Sequence, residues 1–387
     1  MGLLIGAVIL FLGLVVESVL HRYRVNRSVA FATAGSRFQI YRNRQWHSFF
    51  VKGATLGLGI QSGETVATKG AYANWLKQVA AMNANVVTVY TILPPAFYQA
   101  FYEYNLLTTR PIYLLHGIML GEAVVQAFED AYDEQLTEAF YREIDRTIDV
   151  IHGRAVINPG VGQVAGTYSF NTSHYVMGYI ISDEIRAGFV TATNRENTYF
   201  TGLEGDYLYT ENAAPFEAWL AAMGNHAISY EVNRYGGRQK LIGWTTWAGN
   251  NPTFNMDGNV NLEHIHPKEQ FNAGIFASYH IYPYHLEMMR LYSNPENQEG
   301  NRISMTPFRV YLRDINTHHT IPVMVTEWAY PVFRSGSTGR TVFPDRAEVM
   351  ASMFDSIVGA GITGGLVFDW EEKQELYRVL QAKFADH

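Results

Sequence analysis

Two stretches of the sequence share one pattern: Gly178-Tyr-Ile-Ile-Ser-Asp-Glu184 and Val323-Met-Val-Thr-Glu327. Each is a short apolar run of the kind that forms a buried parallel strand, and each leads to a glutamate. In α/β folds, polar residues that directly follow such a run lie at the carboxyl edge of the sheet, where these folds place their functional groups. The two glutamates are therefore the first candidates for chemistry.

Further apolar runs alternate with segments of helical spacing along the rest of the chain. The predicted strands cover residues 49–53, 85–90, 112–116, 175–182, 241–246, 274–280, 322–326 and 365–369. Helical spacing is clear over 72–82 and 214–235, and residues 122–151 predict one long acidic helix. This alternation predicts an α/β fold, a (β/α)8 TIM barrel. An open doubly wound sheet is disfavoured because the glycine-rich stretch 53–63 lacks G-x-G-x-x-G spacing.

Composition limits the functions that such a barrel could serve. The formal net charge is −7, and only 17% of the 387 residues are charged. A nucleic-acid site needs clustered Lys and Arg, so nucleic acid is not an expected partner. Aromatic residues make up 14% of the chain, and their rings suit the apolar faces of sugars as well as a core. There is no cysteine, which excludes disulfides and thiolate metal sites.

The N-terminus differs in character from the rest of the chain. Residues 1–16 carry no charge, and the apolar run continues past Glu17 to Leu20. This is close to the ~20 residues that a membrane-spanning helix needs. We therefore predict an N-terminal transmembrane helix that anchors the chain through residues 1–24, a linker over 25–44 and a catalytic domain over 45–387. A cleaved signal peptide is the alternative, although a basic n-region and a clear cleavage site are both missing.

The charges after the anchor bear on its orientation. His21, Arg22, Arg24 and Arg27 follow it, and the positive-inside rule would then leave the main domain in the cytoplasm. An enzyme of cell-wall glycan would instead lie on the outer side. The two expectations agree if the segment is the last span of a longer protein. We predict that the catalytic domain is extracytoplasmic. The charges next to the anchor do not by themselves decide its orientation.

Glu184 and Glu327 end the predicted fourth and seventh strands, whose ends a closed barrel can bring together. Retaining glycosidases use two carboxyl groups about 5 Å apart, one protonated to release the leaving oxygen and one ionised to attack the anomeric carbon. The pair therefore favours glycosidic bond chemistry over two unrelated strand-end ion pairs.

Several motifs resemble a known group of enzymes. The runs Phe49-Phe-Val-Lys-Gly53 and Asn85-Val-Val-Thr-Val-Tyr90, with Glu184 and Val325-Thr-Glu327-Trp, are similar to the retaining β-glycosidases of clan A, particularly the β-1,3-glucanosyltransferases of fungal cell walls. The runs Gly243-Trp-Thr-Thr-Trp247 and Phe276-Ala-Ser-Tyr-His-Ile-Tyr-Pro283 resemble even more a poorly characterised group of bacterial membrane-linked proteins with a glycoside-hydrolase-type barrel. The resemblance covers roughly residues 45–375. It implies that Glu184 is the acid/base and Glu327 the nucleophile.

Two positions depart from the clan pattern. Asp183 stands before the acid/base, where the clan usually has an asparagine that contacts the sugar 2-hydroxyl, and a carboxylate can accept a hydrogen bond there but cannot donate one. Thr88 stands in the second strand, where relatives tend to carry an arginine that keeps the nucleophile ionised. We predict that Tyr282 donates to Glu327 instead, with His280 close by.

Other polar and aromatic residues near the predicted strand ends are candidates for substrate binding, because loops at this end of a barrel reach the substrate. These candidates are Tyr90, His116, Asp183, Trp244, His280, Tyr282, Trp328, Asp369 and Trp370. The pairs His264–His266 and His318–His319 lack carboxylates at zinc-site spacing. We expect no metal and no cofactor.

The function expected from the sequence is that of a retaining β-glycoside hydrolase or transglycosidase that acts on a glucan-like polysaccharide by a two-glutamate double displacement. One alternative is a catalytically inactive carbohydrate-binding or scaffold protein, which Asp183 and Thr88 would suit. A subunit of a membrane polysaccharide synthesis or export complex is another.

Overall fold

The computed structural model describes residues 30–56, 67–160, 164–182, 185–200, 202–247, 252–253, 258–282, 306–330, 346–368, 374–385 and 387. The predicted anchor over 1–24 lies outside these ranges. Within them, no helix has the length and apolar character that crossing a bilayer requires.

The described strands, in chain order, are β1 (Phe31–Ala34), β2 (Arg37–Arg42), β3 (Gln45–Ser48), β4 (Val51–Thr55), β5 (Val86–Val89), β6 (Tyr113–Ile118), β7 (Ala155–Ile157), β8 (Gly166–Tyr168), β9 (Val176–Ile181), β10 (Leu208–Thr210), β11 (Leu241–Trp247), β12 (Ile265–Pro267), β13 (Ile275–His280), β14 (Val323–Trp328) and β15 (Gly364–Val367). The described helices are α1 (Lys69–Ala81), α2 (Pro95–Leu107), α3 (Glu122–Val125), α4 (Glu134–Ile151), α5 (Ala187–Glu196), α6 (Pro215–Tyr235), α7 (Thr306–His318), α8 (Arg346–Gly359) and α9 (Gln374–Ala385).

A closed parallel barrel forms the centre of the molecule, with its strands in the order β11-β13-β14-β15-β4-β5-β6-β9. Each predicted strand overlaps one of these, so the predicted (β/α)8 fold is confirmed. The strands are nearly continuous apolar runs because one face fills the barrel and the other is covered by helices. A closed parallel barrel brings the carboxyl ends of all its strands to one rim.

Local sequence signals set the helix ends. Pro215 starts α6 because its fixed φ suits a first helical turn, and the Glu217 side chain accepts a hydrogen bond from the Ala214 N–H, 2.8 Å away. The helix stops at Gly236, which has the left-handed φ of 54° that glycine adopts without steric cost.

The single helix predicted over 122–151 is two helices. α3 ends at Val125, and α4 begins after Asp133, whose carboxylate accepts hydrogen bonds from the N–H groups of Gln135 and Leu136. Such a cap satisfies backbone donors that have no partner inside the helix, so it starts a new helix within an otherwise continuous amphipathic pattern.

Residues 31–42, which lie within the predicted linker over 25–44, form β1 and β2 of an antiparallel sheet with β3. Phe38 and Ile40 alternate with more exposed residues and are buried. The Phe38 ring packs edge-on against Phe276, with centroids 5.5 Å apart. Phe276 in turn faces Gly243, where an added Cβ would lie 2.2 Å from its ring. The linker prediction is therefore wrong for these residues, because they close the amino end of the barrel.

Candidate active site

Glu327 lies at the carboxyl end of β14 and is 7% exposed. Its direction depends on an irregular register, in which Tyr279 pairs with Val325 and His280 with Glu327. Thr326 is thus an extra residue between two paired positions, which defines a β-bulge. Bulges turn side chains away from strict alternation and are common beside active sites. The bulge allows two consecutive residues of β14 to contact groups on β13.

The Glu327 carboxylate has a hydroxyl donor on each oxygen. Tyr282 donates to Oε2 over 2.5 Å, and Tyr90 donates to Oε1. The ring nitrogen Nδ1 of His280 lies 3.4 Å from Oε2. The predicted hydrogen bond from Tyr282 is therefore present, as is the predicted proximity of His280. Hydrogen bonds to both oxygens fix the plane of the carboxylate and stabilise its negative charge.

The two tyrosine rings share a packing partner in Phe368, which follows β15. Its ring centroid lies 6.4 Å from that of Tyr90 and 6.2 Å from that of Tyr282. Tyr90 also packs edge-on against His280, at 6.2 Å. Sequence reasoning missed Phe368 and expected Tyr90 to contact sugar rather than Glu327. The available signal was that Tyr90 directly follows a barrel strand, at the same rim as the glutamate.

A chain of hydroxyl groups crosses three neighbouring strands next to the carboxylate. Thr245 Oγ1 lies 2.9 Å from Ser278 Oγ, and Ser278 Oγ lies 2.5 Å from Thr326 Oγ1. Since all three side chains are buried, these hydrogen bonds satisfy polar groups that would otherwise be costly inside the barrel. They also tie the bulge in β14 to β13 and β11.

Solved structures with the same architecture identify the fold. Gas2p of Saccharomyces cerevisiae, in complex with laminaritriose and laminaritetraose, matches with a TM-score of 0.51 and 14% identity over 93% of this chain and 69% of that one. An endo-1,4-β-mannanase from Rhizomucor miehei matches with a TM-score of 0.52 and 10% identity over 92% of this chain and 99% of that one. A β-glucuronidase from Ruminococcus gnavus matches with a TM-score of 0.52 and 9% identity over 92% of this chain and 54% of that one. The chain therefore has the (β/α)8 barrel fold that these structures share. No family model and no curated protein sequence matches it.

Three predicted substrate-binding residues face the helices that surround the barrel. His116 is fully buried, with Nε2 2.8 Å from the Tyr98 hydroxyl of α2 and Nδ1 2.7 Å from the Gly117 carbonyl oxygen. Burial lowers the pKa of His116 to about 4. The imidazole is therefore neutral near pH 7 and belongs to the packing between β6 and α2.

Trp244 and Trp328 are also fully buried. The Trp244 indole N–H donates to the Leu220 carbonyl of α6 over 3.0 Å, and the Trp328 ring packs on Phe354 of α8 with centroids 6.1 Å apart. The expectation that His116, Trp244 and Trp328 line the cleft is thus wrong. Each side chain is on the outer face of its strand.

The remaining predicted site residues lie outside the described ranges: Asp183, Glu184, Asp369 and Trp370.

Ser182, which immediately precedes the predicted acidic pair, is buried and has a φ of 74°. Left-handed backbone is uncommon for a residue with a Cβ and costs of order 1 kcal/mol or more. The Ser182 N–H donates to the Ile118 carbonyl over 3.1 Å, which ties this conformation to β6. Strained backbone of this kind clusters at functional sites.

The histidines considered as metal ligands have other partners. His264 Nδ1 lies 2.7 Å from Glu217 Oε2, and His319 Nδ1 lies 3.0 Å from Glu263 Oε1. Burial would raise the pKa of Glu263, but hydrogen bonds from His319 and Thr320 and the charge of His319 lower it to about 2. In the described part of the chain, no group of three or more His, Asp or Glu side chains could hold a metal ion.

Proposed function

We propose that the chain is a retaining β-glycoside hydrolase or transglycosidase that acts on a glucan-like polysaccharide. The observation that carries this proposal is the Glu327 carboxylate at the carboxyl rim of the barrel, with a tyrosine hydroxyl on each oxygen. A carboxylate nucleophile must stay ionised and must be held in one orientation toward the anomeric carbon. Tyr90 and Tyr282 meet both needs.

In the proposed reaction, a Glu327 oxygen forms a bond to the anomeric carbon as the glycosidic carbon–oxygen bond breaks, and the Glu184 carboxylic acid gives its proton to the leaving oxygen. The Glu184 carboxylate then takes a proton from water or from an acceptor sugar hydroxyl, whose oxygen displaces Glu327. The role of Glu184 rests on its position after β9 and on the resemblance to clan A. Asp183, Asp369 and Trp370 are kept as proposed substrate contacts on the same grounds.

The tyrosine donors at Glu327 also take the place of the arginine that related enzymes tend to carry in the second strand. Thr88 stands at the position in β5 where related enzymes tend to carry that residue, and it is buried. Tyr90, two residues further along, donates to Glu327. A tyrosine hydroxyl is neutral at neutral pH, so it stabilises the carboxylate by a directed hydrogen bond rather than by an opposite charge.

The glucan-like substrate is supported by the likeness to Gas2p, whose structure contains laminaritriose and laminaritetraose. Since the mannanase and the glucuronidase match equally well, substrate class has to be tested directly. We further propose that residues 1–24 anchor the chain in a membrane, with the barrel outside the cytoplasm. The supporting observation is the uncharged run of residues 1–16.

The test is turnover of a panel of β-glucans and β-mannans by wild type, Glu327→Ala and the exposed-site control Glu138→Ala. We expect wild type and Glu138→Ala to release or transfer sugar and Glu327→Ala to lose at least about 10⁴-fold in rate, as for a lost nucleophile. If wild type and Glu327→Ala were equally inactive on every substrate while both bound glycan, the chain would be a carbohydrate-binding protein instead.

A further inference from the structure

A cavity of about 460 Å³ lies at the opposite end of the barrel from Glu327. It is bounded by the amino end of β4, by the segments that lead into β5 and β6, and by the ends of α1, α2 and α9. The sheet of β1–β3 contributes one wall. Its lining shares no residue with the site around Glu327, and it belongs to the face that barrel enzymes do not use for catalysis.

Three basic side chains line this cavity: Arg42, Lys52 and Arg110. None of its described lining residues is Asp or Glu. Within the described part of the chain, none of the three cations forms an ion pair with a carboxylate. The described lining of the cavity is therefore rich in cationic side chains, of which Arg42 and Arg110 are exposed, in a protein whose formal net charge is −7.

The described partners of these cations are neutral. Arg42 Nη2 donates to the Tyr113 hydroxyl over 2.9 Å, and Lys52 donates to the Phe384 carbonyl. Burial, and after it the charge of Arg110, lowers the pKa of Lys52. Like charges that line one cavity repel one another, and a bound anion would relieve that repulsion.

The backbone around Arg110 is fixed by local hydrogen bonds. Thr108 Oγ1 accepts from the Arg110 N–H over 3.1 Å and lies 3.3 Å from the Arg110 carbonyl oxygen, to which it donates. The turn holds the arginine at the cavity without using its guanidinium. Side chains of Ser48, Tyr104 and Thr109 also line the cavity and bear hydroxyl groups.

From this arrangement we infer that the cavity binds a phosphate group, carried by a soluble phosphate compound or by a lipid headgroup. The three cations come from three different elements, namely β2, β4 and the segment before β6. Cations supplied by separate elements suit a multiply charged tetrahedral anion, whereas a planar carboxylate is satisfied by the fork of a single arginine. The volume leaves room for the group that carries the phosphate.

The position of the cavity near the proposed anchor is the reason to consider a lipid headgroup as the source of the phosphate. The proposed anchor ends at residue 24, and β1 of the sheet that walls the cavity begins at Phe31. A chain spans at most about 3.5 Å per residue, so an inserted anchor would keep this end of the barrel near headgroups. This step depends on the proposed anchor, whereas the phosphate site itself depends neither on the anchor nor on glycosidase activity.

The test uses the full-length chain in a neutral detergent, at constant ionic strength set with chloride. Inorganic phosphate is titrated by calorimetry and by its effect on the melting temperature, which a ligand of the folded state raises. We expect Arg110→Gln and Arg42→Gln each to weaken phosphate binding about tenfold, the loss of one charge-assisted hydrogen bond. Arg142→Gln, an exposed arginine paired with Glu138 on α4, removes the same charge and should leave binding unchanged.

A second titration with short-chain phosphatidic acid, whose phosphomonoester headgroup is multiply charged like inorganic phosphate, separates the two sources. Tighter binding of this lipid than of inorganic phosphate, with the same loss in Arg110→Gln, assigns the site to a headgroup. Binding of phosphate alone assigns it to a soluble compound. The proposal is overturned if neither probe binds wild type, or if Arg110→Gln and Arg142→Gln bind alike. Circular dichroism of each variant checks that the barrel is intact.

Discussion

Tyr90 donates a hydrogen bond to Oε1 of Glu327 and so links the second and seventh strands of the barrel at its carboxyl rim. With Tyr282 on the other oxygen, the carboxylate is held by two hydroxyl groups from residues that follow different strands.

Removal of either hydroxyl should impair the chemical step more than folding. We expect Tyr90→Phe and Tyr282→Phe each to lower kcat/KM about tenfold to a hundredfold, because a hydrogen bond to a charged group contributes about 1.5–3 kcal/mol. The measurement is steady-state kinetics on the β-glucan for which wild type has the highest kcat/KM. Tyr41→Phe, at the other end of the barrel, is the matched control. Unchanged kinetics in both site variants would show that the hydroxyls do not act on Glu327.

The left-handed backbone at Ser182 predicts opposite effects for two substitutions. Ser182→Gly should preserve or raise the free energy of unfolding, because glycine adopts a φ of 74° without a steric cost. Ser182→Val should lower it by about 1–3 kcal/mol and reduce activity, since a β-branched residue resists that conformation and the next two residues are the proposed acidic pair. Urea unfolding followed by fluorescence measures both. Equal stability of the two variants would contradict the assigned backbone conformation.

The sheet of β1–β3 should contribute to the stability of the barrel. Phe38→Ala leaves a cavity against Phe276, and we expect it to lower the free energy of unfolding by about 3–5 kcal/mol. Trp46→Ala, which removes a ring that is 41% exposed in the same sheet, should cost much less. If both substitutions cost the same small amount, residues 31–48 would be an accessory to the barrel and not its floor.

Glu263 should make stability depend on acid pH. Its pKa falls from the ordinary 4.5 to about 2 in the folded protein. The unfolded chain therefore binds the proton more readily, so this contribution is complete above pH 4.5 and is lost as pH falls toward 2. Glu263→Gln should be less stable than wild type at pH 7, and the difference should narrow between pH 4.5 and 2. A difference that stays constant across that range would exclude the proposed linkage.

The barrel and part of its site follow from sequence patterns. Apolar runs bounded by helical segments located the strands, and the ends of two such runs gave Glu327 and Tyr282, which do meet. The sequence does not show whether a strand side chain points into the barrel or toward the helices, because a strand buried on both faces has no alternation of polar and apolar residues. The prediction that Trp244 and Trp328 line the cleft fails for that reason.

The bulge at Thr326 could not be predicted from the sequence for a different reason. It depends on the register between β13 and β14, which is a property of the paired strands. Phe38 and Ile40, in contrast, carried a usable signal, since their spacing of two marks a half-buried strand.

The most direct test of the central claim is a covalent trap with an activated 2-deoxy-2-fluoro-β-glucoside, read by intact mass and peptide mapping. Slow turnover of the glycosyl-enzyme should give one added sugar per chain on Glu327 and none in Glu327→Gln. A label on another carboxylate, or the absence of any label in a preparation that cleaves β-glucan, would contradict Glu327 as the nucleophile.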